Sequence, residues 1–311
     1  MRYGKIMVVW GENESRFPFN STILIIDEVC TIVDPGVGKD ILLNLKSKYN
    51  IKQVLNTHYH FDHIAYNYLL PDARLLINEI DSECFLDKRE LARRLGMVDC
   101  FGEAWTDGWL KRIMNPNTAQ SPHSPQNRHE WWLSTARLDG TYRWNDTLDF
   151  GTTKMKVVGS PGHTGGFSCF YFPEEGLVYT GDIDLTSFGP WYAGRDGNIE
   201  DFIRSAWNIC ALDADVFITG HGLGPLTKTE FKSKLEAYLD IIECRDQKIL
   251  SKLSKPLTLK ELSELGIFYG RRFLVDDWIR AWEEMSIRKH LERLLDQKKI
   301  VDTPGGGYVR Q

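Results

Sequence analysis

Several features that would assign this chain to a familiar protein class are missing from its sequence. It has no apolar run near the roughly 20 residues that a membrane-spanning helix needs, and the apolar run at residues 6–10 is too short for a secretory signal. The six cysteines contain no CxxC pair, so neither a disulfide framework nor a thiolate zinc site is predicted. We therefore expect a cytoplasmic protein without membrane attachment, whose cysteines are buried free thiols.

An excess of positive charge is also absent. The net charge is −5, with 42% apolar and 26% charged residues, which is typical of a globular protein and not of one that coats nucleic acid. Because single cores stop growing at roughly 250 to 300 residues, a chain of 311 residues predicts a main domain with a small appendage.

The order of short apolar segments predicts a mixed α/β protein. Residues 21–34 hold two β-branched runs on either side of an Asp-Glu pair, which predicts a hairpin. Helical and strand-like periods then alternate, except over residues 115–137, where the loss of any period predicts a long surface loop. Two β-rich halves interleaved with helices predict a sandwich of two sheets covered by helices.

The strongest chemical signal is the motif His-Tyr-His-Phe-Asp-His at residues 58–63. In an extended loop alternate side chains point the same way, so His58 and His60 can share one metal ion. Asp62 and His63 follow where the chain enters a helix, which turns them toward a second ion. Three further polar residues each end an apolar strand, as a rim-mounted site requires; they are His163, Asp182 and His221.

In this order the motifs resemble the metallo-β-lactamase superfamily, over about residues 20–225. The resemblance implies the α/β (α+β) class and an αββα sandwich with its site at one edge. It also implies a dinuclear site in which Asp182 bridges the two metals and Asp34 orients the histidine loop. His58, His60 and His163 would bind metal one, and Asp62, His63 and His221 would bind metal two.

Imidazole and carboxylate donors without thiolate suit zinc, which we expect, or else iron or manganese. A bound metal lowers the pKa of water from 15.7 toward about 7. A hydroxide held between two ions could then attack an ester, thioester or lactone-type substrate, with Asp62 and Asp182 as the catalytic residues. The expected activity is therefore that of a dinuclear metallo-hydrolase, although β-lactam hydrolysis does not follow from the family name.

Three other functions stay open. Relatives with a similar layout include single-strand ribonucleases, so phosphodiester cleavage is one alternative. Iron-binding relatives carry out redox chemistry on the same scaffold, and a regulatory protein with a vestigial metal site is the third possibility.

The C-terminal segment, residues 255–311, differs in character from the rest. Two amphipathic helices and a glycine-rich hairpin predict a winged-helix-like domain, joined to the catalytic domain (residues 1–225) by a connecting helix at residues 226–254. Residues 251–311 hold twelve Lys or Arg and nine Asp or Glu, but acidic residues interrupt any basic face. Packing or homodimer formation is therefore favoured over nucleic-acid binding.

The substrate is expected to be a small molecule bound near the metals. Aromatic residues and one cation lie close to the metal motifs in sequence, which suggests substrate contacts from Tyr59, Trp191, Tyr192 and Arg195. Five tryptophans fall in an insertion at about residues 80–145, where they could line a pocket, a lid or a dimer contact. They are Trp105, Trp109, Trp131, Trp132 and Trp144.

Overall fold

The computed structural model describes residues 1–113, 137–222 and 224–311. Apart from Arg137, the loop predicted over residues 115–137 lies outside the described residues, together with Trp131 and Trp132. Within the described ranges no helix is long and apolar enough to cross a membrane. All six cysteines are free thiols; four are buried, but Cys100 is half-buried and Cys244 is exposed, so the prediction of buried thiols is wrong for these two.

The first sheet has seven strands, whose order in space follows their order in the chain. Its first four strands pair antiparallel, and β4 to β7 pair parallel. The predicted hairpin of residues 21–34 is confirmed, with Ile23 opposite Val33. The strands are β1 Arg2–Tyr3, β2 Ile6–Val9, β3 Thr22–Ile25, β4 Thr31–Val33, β5 Gln53–Asn56, β6 Arg74–Asn78 and β7 Gly140–Tyr142.

In the described part of the chain the second sheet has six strands, again in chain order, of which β11 and β12 pair parallel and the other neighbours antiparallel. The predicted strand signals before His163, Asp182 and His221 correspond to β9, β11 and β12. The strands are β8 Thr147–Asp149, β9 Lys154–Gly159, β10 Ser168–Phe172, β11 Leu177–Gly181, β12 Val216–Thr219 and β13 Leu226–Thr227.

Apolar residues bury both faces of each sheet, which produces the αββα sandwich that the sequence predicts. Ile23 and Ile25 of β3 point into the layer between the sheets, where they meet Phe170 and Tyr179. The intervening Leu24 points the other way, toward the helices over the first sheet. This alternation is the period of two that a strand imposes on its side chains.

Helices cover the outer faces of both sheets. Helix Lys39–Lys48 lies in the layer over the first sheet, and helices Ile199–Ala211 and Lys228–Leu250 cover the second. The remaining α-helices of the described residues are Phe61–Ile64, Glu83–Leu86, Lys88–Arg94, Met97–Phe101, Glu103–Ile113, Leu259–Ser263 and Asp277–Asp296. Residues Glu12–Ser15 form a left-handed turn, because Asn13, Glu14 and Ser15 have φ of 50°, 58° and 55°.

The C-terminal segment contains both predicted helices and the predicted hairpin, whose strands are β14 Ile300–Asp302 and β15 Tyr308–Arg310. Leu262, Leu291 and Ile300 form a small core of their own with the end of helix Lys228–Leu250. Trp278 instead packs on Trp109 and on Phe61, the residue after His60, with ring centroids 4.9 and 5.5 Å apart. The segment therefore rests on the loop that carries the first histidines. The domain boundaries and the winged-helix assignment stay predictions.

Candidate metal centre

Four loops bring the seven predicted ligands together. The motif of residues 58–63 follows β5 and enters the short helix Phe61–Ile64, so its later residues turn away from His58. His163 follows β9, Asp182 follows β11 directly, and His221 follows β12. All seven residues are buried, so donors that are 163 residues apart in the chain meet in one buried cluster.

The cluster divides into two groups that share Asp182. One contains His58, His60, His163 and Asp182, and the other contains Asp62, His63, Asp182 and His221. Oδ2 of Asp182 lies 3.0 Å from Nε2 of His163, while its Oδ1 lies 2.8 Å from Nε2 of His63. Each carboxylate oxygen thus faces a different group, as a bridging ligand must.

The separations between donor atoms fit metal coordination. In the first group, Nε2 of His163 lies 2.8 Å from Nδ1 of His60 and 3.2 Å from Nε2 of His58. Tetrahedral donors at 2.0–2.1 Å from zinc are about 3.3 Å apart. In the second group, Nε2 of His221 lies 3.0 Å from Oδ2 of Asp62. Nε2 of His63 and Oδ1 of Asp182 are buried without a well-formed hydrogen bond among the described residues, which is expected of two atoms that face a common ion.

The opposite ring nitrogen of most histidines is held by an oxygen. Nδ1 of His163 donates to the Trp191 carbonyl at 2.8 Å, and Nδ1 of His221 donates to the Phe19 carbonyl at 2.9 Å. His60 differs, because it presents Nδ1 to the centre and its Nε2 has no hydrogen-bond partner in the described part of the chain. Such contacts fix the tautomer and direct the free lone pair at the metal.

Asp34 organises the first histidine loop from behind, as the resemblance implies. Its side chain is buried and accepts hydrogen bonds from Nδ1 of His63 at 2.8 Å and from the Thr57 hydroxyl at 2.7 Å. Since that hydroxyl donates to Asp34, it is left to accept from Nδ1 of His58, 3.0 Å away. Asp34 therefore supports His63 directly and His58 through Thr57.

The two groups differ in their electrostatics. Burial and neighbouring imidazoles lower the pKa of His58 and His60 well below the ordinary value, so these rings are neutral. Burial would also lower the pKa of His221, but the carboxylates of Asp182 and Asp62 outweigh it and raise that pKa to about 9. The pKa of His63 is raised in the same way by Asp182, and Asp34 raises it further.

An apolar cavity of about 530 Å³ opens onto both groups. His60, Asp62, His163, Asp182 and His221 form its polar end. Most of the remaining wall is aromatic or aliphatic and includes Phe17, Phe61, Leu95, Phe188, Trp191, Phe268, Tyr269, Phe273, Ile279 and Trp282.

Of the four residues predicted to contact the substrate, one lines the apolar cavity and three do not. Trp191 lines the apolar cavity, with its ring centroid 4.7 Å from that of His60. Tyr59 does not: it is fully buried and its hydroxyl donates to Asp196, because the alternation that pairs His58 with His60 turns Tyr59 the other way. Placing Tyr59 at the substrate is therefore corrected.

Tyr192 and Arg195 need the same correction, since neither lines the apolar cavity. The Tyr192 hydroxyl is buried between Arg245 and Nε2 of His290, at 2.9 and 2.7 Å. Arg195 points away to the surface, where its side chain is 53% exposed and pairs with Asp99 at 3.6 Å.

The insertion tryptophans have structural roles where they are described. Trp109 is fully buried in the helix layer, with Trp105 beside it. Trp144 donates to the Ser168 hydroxyl at 3.2 Å. None of these three lines the apolar cavity.

The sequence reasoning missed the wall from the C-terminal segment, namely Phe268, Tyr269, Phe273, Ile279 and Trp282. It also missed Phe17 and Phe188 as wall residues. The available signal was the density of aromatic residues between positions 268 and 282, which is equally typical of a buried core.

A family model described as the metallo-beta-lactamase superfamily matches residues 16–74 and 137–221. These two stretches contain all seven candidate ligands. The matched stretches of the chain belong to the metallo-β-lactamase superfamily. The family model does not cover residues 75–136 or the chain after residue 221, so most of the apolar wall lies outside the matched stretches.

The curated relatives that resemble this chain include several named hydroxyacylglutathione hydrolase. A hydroxyacylglutathione hydrolase from Bartonella tribocorum is 30% identical over 159 residues, which cover 50% of this chain and 58% of the relative. A hydroxyacylglutathione hydrolase from Brucella ovis is 42% identical over 87 residues, or 27% of this chain and 32% of the relative. The chain thus matches less than two thirds of the length of these relatives.

Solved structures share the fold over a longer stretch. A metallo-beta-lactamase family protein from Thermus thermophilus has a TM-score of 0.66 at 22% identity and covers 99% of both chains. A beta-lactamase domain protein from Burkholderia ambifaria has a TM-score of 0.64 at 16% identity, covering 99% of this chain and 91% of that one. The likeness in fold therefore includes the C-terminal segment.

Proposed function

We propose that this protein is a dinuclear metal-dependent hydrolase that acts on a thioester, ester or lactone-type substrate. The observation that carries the proposal is the placement of Asp182, whose two carboxylate oxygens face two separate groups of nitrogen and oxygen donors. A buried pair of donor groups sharing one carboxylate is suited to two ions close together, as in two-metal hydrolytic sites.

The residues of the chain would hold the metals and keep their geometry fixed. When bound, the two ions would supply Lewis acidity and activate water for attack on an acyl carbon. His58, His60 and His163 would ligate the first ion, and Asp62, His63 and His221 the second. The oxygens behind the rings keep each histidine in one tautomer, which removes reorganisation from the reaction.

Thioester cleavage is the proposed reaction, because several curated relatives are named hydroxyacylglutathione hydrolase. Zinc is the proposed metal, since five imidazoles and two carboxylates without thiolate suit it, although iron and manganese accept the same donors. A cytoplasmic location and a role of the C-terminal segment in packing or dimer formation, in preference to nucleic-acid binding, stay predictions.

The test is elemental analysis of freshly purified protein, combined with hydrolysis assays on thioesters, esters, lactones, a phosphodiester and single-stranded RNA. We expect close to two zinc ions per chain and acyl hydrolysis that a chelator abolishes and added zinc restores. Metal-loaded protein that cleaves only the phosphodiester or RNA would contradict the acyl assignment. Iron together with no hydrolysis of any substrate would favour redox chemistry instead.

A further inference from the structure

We propose that the substrate of this enzyme carries a bulky, uncharged apolar group, an alkyl or aryl acyl chain, which binds against the C-terminal segment. This inference rests on the proposed hydrolytic function and narrows its substrate class. It also sets this protein apart from its named relatives, because a glutathione thioester carries two carboxylates and one ammonium group at neutral pH.

The chemistry of the apolar cavity is the first argument. Beyond the metal ligands, its wall in the described part of the chain is apolar except for Asp184, Thr186, Ser187 and the Tyr269 hydroxyl. No lysine or arginine is among the described lining residues. An apolar group gains free energy when such a wall removes it from water. Away from the metal ligands, a carboxylate buried against this wall would find no lysine or arginine to pair with, which is unfavourable.

The arginine behind the wall is already occupied. Arg245 is buried; its guanidinium donates to the carbonyls of Phe188 and Pro190 and to the Tyr192 hydroxyl, at 2.6, 2.5 and 2.9 Å. Its Cζ lies 4.9 Å from the ring centroid of Phe188 and 5.2 Å from that of Phe268. Arg245 thus contacts both Phe188 and Phe268 from behind the wall, and its guanidinium is not available to a substrate.

The wall is held in a defined shape. The buried carboxylate of Glu283 accepts hydrogen bonds from the backbone N–H groups of Ile267, Phe268 and Tyr269, the closest at 2.6 Å. Burial raises the pKa of Glu283, while these donors oppose the rise. Glu283 therefore fixes the strip of backbone from which Phe268 and Tyr269 face the cavity, next to Trp282 on the same helix as Glu283.

The position of the wall in the chain explains why the named relatives do not determine the substrate. Five lining residues lie between positions 268 and 282, beyond the stretch that the superfamily model matches. The metal centre belongs to the stretches that the superfamily model matches, whereas these five residues, which would contact the acyl group together with Phe188 and Trp191, belong to the C-terminal segment.

The experiment measures kcat/KM of the metal-loaded enzyme on N-acetylcysteamine thioesters of acetate, hexanoate and decanoate, with S-lactoylglutathione as the charged comparison. We expect kcat/KM to rise at least about 10-fold from acetate to decanoate, since each buried methylene favours binding. We expect S-lactoylglutathione to be the poorest substrate.

Two variants and a control test the wall itself. Phe188, which is 40% exposed at the cavity, is replaced by Leu, which keeps the wall apolar, or by Lys, which adds a cation. Phe188→Leu should keep the dependence on chain length, and Phe188→Lys should flatten it and raise activity on S-lactoylglutathione. Trp207→Ala is the control, because Trp207 is similarly exposed at 38% but does not line the cavity.

A binding measurement separates failure of this inference from failure of the proposed function. N-phenyl-1-naphthylamine, a neutral fluorescent probe, should bind wild type and Trp207→Ala, be displaced by decanamide but not by acetamide, and bind Phe188→Lys several-fold more weakly. If no thioester is hydrolysed but the probe behaves as expected, hydrolysis is wrong and the apolar site stands. A flat series, or S-lactoylglutathione as the best substrate, would overturn the inference and leave the hydrolase in place.

Discussion

The two halves of the candidate metal centre use nearly the same residue types but sit in different electrostatic surroundings. The group of His58, His60 and His163 is backed by a hydroxyl and a main-chain carbonyl, and among the described residues its only carboxylate is the shared Asp182. The group around His63 adds the carboxylates of Asp62 and, behind the ring, Asp34. In the metal-free centre the raised pKa values of His63 and His221 therefore favour their protonated forms, whereas the lowered pKa values of His58 and His60 favour neutral rings.

This difference shows that the environment of a histidine decides its protonation state. His58 and His63 are five residues apart and both are fully buried, yet the pKa of one is lowered and that of the other is raised. Metal binding at the second half must displace protons, whereas His58 and His60 are already in the neutral form that a metal needs.

The largest expected effect comes from removing the residue that the two halves share. Asp182→Ala should lower metal content in both groups and reduce hydrolysis by more than about 100-fold, because even residues behind the ligands are typically worth 10–100-fold. Elemental analysis and kcat/KM measure the two effects. Asp302→Ala, an exposed change in the C-terminal hairpin, is the control. Unchanged metal content and rate in Asp182→Ala would exclude the bridging assignment.

A smaller effect is expected behind the ligands, where the halves can be weakened separately. Asp34→Asn keeps a residue type that tolerates the φ of 47° found at this position. It should weaken metal binding by about 10–100-fold through His63, which it contacts directly. Thr57→Val removes the hydroxyl beside His58 and should weaken metal binding less than Asp34→Asn does, because a neutral acceptor is lost instead of a charge. Chelator competition measures the metal affinity of both variants. Equal losses of affinity would contradict the difference expected between the two groups.

The smallest effect concerns pH and the stability of chelator-treated protein. The pKa of His221 is raised to about 9, so its contribution to the free energy of unfolding is complete below about pH 6.5 and is lost as the pH rises through 9. His58 has a lowered pKa, so its contribution is present above 6.5 and is lost as pH falls below that value.

The Tm difference between wild type and His221→Gln should therefore narrow by a few degrees from pH 6.5 to pH 9.5. The difference between wild type and His58→Gln should narrow instead from pH 7 to pH 5.5. Thermal unfolding of the three proteins at these pH values checks the signs, and parallel curves for the two variants would refute opposite protonation of the two halves.

The fold and the clustering of the candidate metal ligands could be predicted because their signals are local in sequence. The ligands are polar residues at the ends of apolar strands, where little else explains a histidine or aspartate. Alternation of side chains in an extended loop was enough to pair His58 with His60. The same alternation directs Tyr59 away from the side on which His58 and His60 face the metals.

The apolar cavity could not be predicted, because its wall depends on how the C-terminal segment packs. Trp191 and Tyr192 are adjacent and chemically similar, but only Trp191 faces the cavity, while Tyr192 binds Arg245 and His290. Likewise nothing local distinguishes Trp282, which lines the cavity, from Trp278, which is buried against Phe61 and Trp109.

The ligands also come from both sheets of the sandwich. His58 follows β5 of the first sheet, whereas Asp182 and His221 follow β11 and β12 of the second. A metal pair would therefore cross-link the two sheets at one edge, and its full set of donors exists only once the sheets have packed together. Tight metal binding is then a late event in folding, and the loaded centre reports that the entire sandwich has assembled.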